Sequence, residues 1–394
     1  MKLYKNYPAP SDRMGLLWTL SGIKDLVLIE FGPEGTTRYL LESLKYFGAE
    51  ANAKLFTTTM DEDVVIMGNA ERLRKTLIEV DETYSPEYIV VVESSVGAVI
   101  GMDIEGLCRE FQQSVKAKLL PVKGGGLSGI WTTGVEEALS MLAEIAEEKG
   151  SEKENYNILG CCADEFNHKA EADAITAMME KAFALKVNCI LSAFASIEDC
   201  KKMGKSALNL VLRKEALPAA QILEKNFGTP YVYGRPYGLN GTQIWLEEME
   251  KKLEREVDWK AVKGELEGLK TLMLQLKQKI EHGTVRKLVI SGHSETVKGL
   301  AAFLSSELGL PVRYLKSAWS ALKEQEAAVT EEEYRRLLEE RGTFVLVDGL
   351  HSRLAGEKSR IQTAHPILEG ITVPQPGLMG IKGAEYIVRK LLDL

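Results

Sequence analysis

The chain has 394 residues, 45% of them hydrophobic and 27% charged, and a formal net charge of −8. That length exceeds what one hydrophobic core usually serves, so a globular protein of two or three domains is expected. The acidic balance, with no basic cluster to track a phosphate backbone, excludes nucleic acid as a natural partner.

The opening residues MKLYKNYPAPSDR contain no apolar stretch of the signal-peptide kind. No apolar run approaches the roughly 20 residues that span a bilayer, so a cytoplasmic protein without membrane contact is expected. Five cysteines occur: Cys108, Cys161, Cys162, Cys189 and Cys200. Their odd number and irregular spacing argue against a disulfide framework, and no CxxC pair offers a tetrahedral zinc site.

Apolar runs alternate with amphipathic stretches along the whole chain. A first group of strands is expected at 25–31, 88–92 and 117–122. A second is expected at 156–160, 187–191, 208–212 and 230–233, and a third at 287–290, 312–315 and 343–347. Runs this continuous suit strands covered on both faces, and helical periodicity lies between them, as at 173–184 and 296–308. The alternation predicts an α/β fold of three Rossmann-like domains with parallel, doubly wound sheets. Boundaries fall near 149–151 and 283. The expected division is a first domain at 1–150, a second at 151–243, a helical connector at 244–284 and a third domain at 285–394. The connector reads as one or two solvated, salt-bridged helices.

Ligands in such sheets bind beyond the carboxyl ends of the strands. The loop Lys123-Gly124-Gly125-Gly126-Leu127-Ser128-Gly129 follows one strand. Its glycines, Gly125 and Gly129 among them, suit either an anion cradle or a close backbone approach to a partner. The Walker and GxGxxG orders are absent, so a nucleotide is not expected. Arg213, Lys214, Arg235 and Tyr237 follow neighbouring strands. They fit an acidic substrate such as a carboxylated tetrapyrrole, or they are ordinary solvated charge. His293 and His351 stand at two further strand ends, placed for acid–base chemistry or simply as loop histidines. His365-Pro366 reads as a turn. Cys161 and Cys162 follow a strand that ends at Gly160. They read as metal ligands, or as one core and one incidental residue, because adjacent side chains diverge. No catalytic residue stands out.

Seven stretches in consistent order carry a resemblance: Gly22-Ile23-Lys24-Asp25; Phe31-Gly32-Pro33-Glu34-Gly35; Phe56-Thr57-Thr58 with Glu62 and Asp63; Ile100-Gly101-Met102-Asp103-Ile104; Phe227-Gly228-Thr229-Pro230-Tyr231; Gly238-Leu239-Asn240-Gly241-Thr242; and residues 376–384. Together they resemble the nitrogenase component 1 family. That resemblance implies three Rossmann-like domains around a central cleft. It also implies a homo- or heterodimer or heterotetramer with a homologous component 1 subunit, and electrons from a separate ATP-dependent iron-protein reductase.

Three stretches match places where the family carries cysteines that bind a cluster at the subunit interface. Here those positions read Ser11, Thr36 and Ser95, with Gly32 and Gly35 in the same scaffolding. Iron in such clusters is held by thiolates, for which hydroxyls substitute poorly. The resemblance therefore implies either an iron–sulfur cluster shared with a cysteine-bearing partner or no cluster. Residues 208–213 lack the family's anchoring cysteine, and residues 127–134 lack its histidine and glutamine. A nitrogen-reducing cofactor of the known kind is not expected. Two functions remain in view. One is a reductase subunit that forms half of a substrate cavity and docks the iron protein. The other is a non-catalytic scaffold or binding subunit for metallocluster or tetrapyrrole assembly. A stand-alone small-molecule binder that kept only the fold is a third reading.

Overall fold

The computed structural model describes residues 9–45, 51–60, 62–68, 70–147, 150, 152–283, 285, 287–316, 328–356, 360–365 and 375–394. The first part runs α1 (Asp12–Ser21), β1 (Val27–Phe31), α2 (Glu34–Lys45), β2 (Lys54–Thr57), α3 (Glu62–Met67), α4 (Glu71–Tyr84), β3 (Tyr88–Glu93), α5 (Ser95–Ile100), α6 (Ile104–Phe111), β4 (Lys118–Val122) and α7 (Trp131–Glu144). The second runs β5 (Glu152–Cys161), α8 (His168–Phe183), β6 (Lys186–Ser192), α9 (Ile197–Lys202), β7 (Ser206–Val211), α10 (Leu217–Phe227) and β8 (Tyr231–Tyr233), followed by helices α11 (Gly238–Leu253) and α12 (Trp259–Glu281). The last runs β9 (Lys287–Ile290), α13 (Ser294–Ala302), β10 (Val312–Leu315), β11 (Ala328–Val329), α14 (Glu331–Glu339), β12 (Thr343–Asp348), α15 (Gly349–Ser352), β13 (Arg360–Ala364) and α16 (Gly380–Leu392).

These strands form three parallel sheets, ordered β2-β1-β3-β4, β6-β5-β7-β8 and β11-β10-β9-β12-β13. Every strand expected from the sequence is present. The three that escaped, β2, β11 and β13, all lie at sheet edges. An edge strand is not covered on both faces and needs no continuous apolar run: β2 is half exposed along its length, and β13 alternates.

The expected connector is two helices, broken at Glu254, which takes a left-handed backbone conformation with φ of 50°. Contrary to a fully solvated reading, α12 buries a stripe of Val262, Leu266, Leu269, Met273 and Leu276. That stripe joins a core shared by α8, α11, α16 and the second and third sheets. A second core runs from Leu16, Trp18 and Leu139 near the first sheet to Leu159, Leu191 and Leu223 in the second. Among the described residues no helix is long and apolar enough to cross a membrane.

Helices α1 and α7 cross at van der Waals limits because each contributes a glycine. A β-carbon on Gly15 would stand 1.9 Å from the Trp131 carbonyl oxygen, and one on Gly134 would stand 1.8 Å from the Asp12 carbonyl oxygen. Backbone cannot yield there as a side chain can. Gly134→Ala is therefore expected to cost about 3 kcal/mol or more. By contrast, Gly264→Ala, in open space on α12, is expected to stabilise by about 0.5–1 kcal/mol. Paired melting curves of the two variants check this; a harmless Gly134→Ala would contradict the close crossing.

Candidate functional site: a buried ionic centre at the strand ends

The carboxyl ends of β5, β7, β8 and β9 converge on a cluster of charged side chains. Arg213, just after β7, is fully buried. Its Nη1 donates to both oxygens of Asp164 at 2.9 and 3.0 Å, and its Nε to Glu215 Oε2 at 2.9 Å. Its Nη2 lies 3.1 Å from His293 Nε2. Trp131 Nε1 donates to Asp164 as well, at 3.1 Å. The second guanidinium, Arg235, donates to Glu165 and to the Leu212 carbonyl, and at 2.8 Å to Thr296 Oγ1. His293 Nδ1 stands 2.7 Å from Glu295 Oε2 and 3.6 Å from Glu165 Oε1.

Four carboxylates thus face two guanidinium groups. Burial alone would push Glu165 and Glu215 upward. The arginines outweigh it, Arg235 foremost for Glu165 and Arg213 for Glu215, and both carboxyls stay below their usual range. Glu295 is likewise held well below that range, against burial, by its contact with His293 and the charge of Arg235.

Glu215, His293 and Glu295 present donor atoms within 4.8 Å of one another, a spacing that a metal ion can use. The protonation pattern opposes that use. A guanidinium only donates, so the 3.1 Å contact with Arg213 occupies the His293 Nε2 lone pair, and that nitrogen is not free for an ion while Arg213 stays in place.

Asp164, Glu165, Arg235 and His293 border a cavity of about 20 Å³, room for one water molecule, walled by Trp131, Phe166, Tyr237, Thr363 and Leu378. On its edge Glu171 accepts the backbone N–H groups of Leu378 and Met379 at 2.7 and 2.9 Å, which ties the turn before α16 to α8. Burial raises the Glu171 carboxyl from its ordinary 4.5 to about 7. His365 is buried: its Nε2 faces the Ala163 carbonyl at 3.1 Å and its ring meets Phe166 edge-on. Pro366 lies outside the described residues. His351 is paired at 2.8 Å with the buried Asp348, which also takes the Ser291 hydroxyl.

The residues singled out in the sequence thus fall into two groups. Arg213, Arg235, Tyr237 and His293 meet in the ionic centre. Ser11, Gly32, Ser95 and Gly125 meet around the loop 123–129. A β-carbon on Gly32 would strike Ser94, one on Gly125 the Ser94 carbonyl, and one on Gly129 the Thr133 hydroxyl. Gly35 faces open space in the first turn of α2. Thr36 lies beside it in the helix, with a side chain outside the described residues.

Cys161 and Cys162 belong to different cores. Burial pushes the Cys162 thiol up to about 12 and the Cys161 thiol well above its usual value, and Cys161 bonds the His168 carbonyl. The acids Asp164, Glu165, Glu215 and Glu295 and the indole of Trp131 were not picked out from the sequence. The only available signal was that each sits within a few residues of a strand end or helix start.

With this geometry in place, the comparisons are specific. The nitrogenase component 1 type oxidoreductase family matches residues 11–392, and the chain belongs to that family. It is similar to the nitrogenase iron-molybdenum cofactor biosynthesis protein NifE of Clostridium pasteurianum, 26% identical over 266 residues that cover 61% of this chain and 57% of that protein. It is also similar to a subunit of the light-independent protochlorophyllide reductase of Nostoc punctiforme, 24% identical over 331 residues, covering 79% and 64%. The matches therefore span less than two thirds of either relative. Among solved structures, nitrogenase Cp1 at pH 6.5 shares the fold with a TM-score of 0.79 at 18% identity, over 100% of this chain and 93% of that one.

Removing one partner from a buried charge network leaves the others uncompensated. Arg213→Met is expected to lower stability by about 3–5 kcal/mol, read from denaturant midpoints. Glu171 yields a pH signature. Its folded-state carboxyl holds a proton that the unfolded chain releases, so stability should fall as pH rises from about 4.5 to 7 and level off above. Glu171→Gln should flatten that slope, worth on the order of 3 kcal/mol at most. Melting curves of both proteins across pH 5 to 8 check it, and an unchanged slope would remove Glu171 as its source.

Proposed function

We propose that this chain is one subunit of a cytoplasmic, nitrogenase-like component 1 complex. It pairs with a homologous, cysteine-bearing subunit, forms half of a substrate cavity, and offers part of the docking surface for an ATP-dependent iron-protein reductase. One observation carries the pairing. On α3 and on α5, the helix that begins at Ser95, the protein exposes large apolar side chains: Ile66, Met67 and Val99 are 76%, 77% and 75% exposed, and Leu127 and Ile130, close in sequence to Gly125, are exposed as well. Helices α3 and α5, which carry the first three, pack on each other. Apolar side chains gathered in this way mark interaction surfaces.

A second reading, a non-catalytic scaffold for metallocluster or tetrapyrrole assembly, is favoured by the buried ionic centre. With its guanidinium groups committed to carboxylates and a cavity of about 20 Å³, that centre offers little room to a large cofactor.

The test is mass by light scattering after gel filtration, for the chain alone and co-expressed with each component 1 homologue of the same genome. A stable hetero-oligomer is expected, and the double variant Ile66→Glu, Val99→Glu should weaken it at least tenfold. A monomer under every combination would sink the pairing. A complex that forms but reduces nothing when supplied with the iron protein and ATP would favour the scaffold.

A further inference from the structure

The resemblance matches Ser11, Thr36 and Ser95 to interface cysteines of the family, and the surroundings of these segments bear on whether they could hold a cluster. The Ser95 hydroxyl donates to the Gly125 carbonyl. To bind iron as an alkoxide it would have to lose the proton it spends on that bond. Ser11 pairs through its backbone with Ile130, and its side chain lies against Gly126, where a β-carbon would come within 3.1 Å of the hydroxyl oxygen.

Two N–H groups of the glycine loop, which would otherwise suit an anionic cluster, are already committed to carboxylates. Gly124 donates to Glu93 at 3.0 Å and Ser128 to Asp12 at 3.1 Å. Next to Ser11 in sequence, the Arg13 guanidinium pairs with Glu30, a carboxylate with no exposure at all. The other Glu30 oxygen takes the hydroxyl of Thr37, the neighbour of Thr36, at 2.5 Å. Arg13 and Glu93 also border a cavity of about 10 Å³, which holds at most one water molecule.

Charge settles the direction. Asp12, Glu30 and Glu93 are all buried here, with Glu137 beside them; of the two cations at the cavity, Arg13 pairs with Glu30, and the half-exposed Lys123 is paired outward with Glu105 at 2.8 Å. Thiolate-bound iron–sulfur clusters are anionic, so a cluster would add negative charge to buried negative charge, with hydroxyls in place of thiolates.

We propose that this face contributes no ligand to an iron–sulfur cluster. Its segments are held instead by an ionic tie, Arg13–Glu30–Thr37, together with carboxylates bound by the glycine loop. A cluster near the face in any assembly would rest on its partner's residues alone. The inference stands whether or not the chain pairs with a homologue, so a failed pairing leaves its test readable.

The test compares wild-type protein, purified anaerobically with whatever partners accompany it, with the variant Ser11→Ala, Thr36→Val, Ser95→Ala. Iron and acid-labile sulfide are measured on both, with melting temperature as the check that the variant folds. Equal iron in the two, including none in either, is the expected result. Iron that falls in the folded variant, or stoichiometric iron on the wild-type chain by itself, would overturn the proposal.

Should the triple variant fail to fold, Glu30→Gln tests the tie separately by amide exchange. Exchange in residues 9–15, 33–45 and 123–130 is expected to speed up at least tenfold, and a chelator should leave the wild-type rates unchanged. Rates that respond to the chelator and not to Glu30→Gln would overturn the ionic tie.

Discussion

The centre of this molecule is organised around a guanidinium that water does not reach. Arg213 carries five N–H donors in a planar fork, and at zero exposure every direction needs an acceptor. No single segment supplies them. Asp164 comes from the turn after β5, Glu215 from the turn after β7, and His293 from the turn after β9. The carboxyl ends of three strands from two sheets must therefore reach their places together. Even the path of the side chain is cleared for it: a β-carbon on Gly160 would stand 2.6 Å from Arg213 Cγ, and that glycine has a φ of 95°. Buried ion pairs add little net stability over apolar packing, but an unpaired one is costly. We read the network as a device for register between the second and third sheets more than as a source of stability.

Trp131 carries that constraint to the first sheet. Its indole N–H supports Asp164, its backbone N–H donates to the Pro10 carbonyl at 2.8 Å, and its own carbonyl faces Gly15 at the α1–α7 crossing. A single residue at the start of α7 thus touches both the ionic centre and the segment that begins with Ser11.

How far the sequence foretold this follows from what periodicity measures. Strands such as β1, β3 and β12 are buried at every position and stand out as unbroken apolar runs. The edge strands β2 and β13 do not, because solvent covers part of them. The stripe on α12 was outweighed by the charge between its apolar positions. Arg213, Arg235 and His293 were accessible to inspection because they stand directly at strand ends. Their carboxylate partners were not, since Asp164 and Glu215 are 51 residues apart and each, taken alone, reads as solvated charge. A buried ion pair becomes visible only when the fold brings its halves together. The same holds for Arg13 and Glu30, which no local pattern links.

The two regions obey one electrostatic rule. Near the glycine loop this chain gathers the anions Asp12, Glu30 and Glu93, and at the centre it gathers Asp164, Glu165, Glu215 and Glu295. Arginines then close each set. A buried carboxylate that already accepts backbone N–H groups leaves no donor for a second anion, and a paired guanidinium attracts one only if its own partner leaves. Ligand entry at the centre would therefore require Arg235 or Arg213 to exchange an internal carboxylate for an external one. Such an exchange would leave the displaced carboxylate beside the incoming one, so the site would gain a negative charge, the same cost that an anionic cluster would meet at the glycine loop.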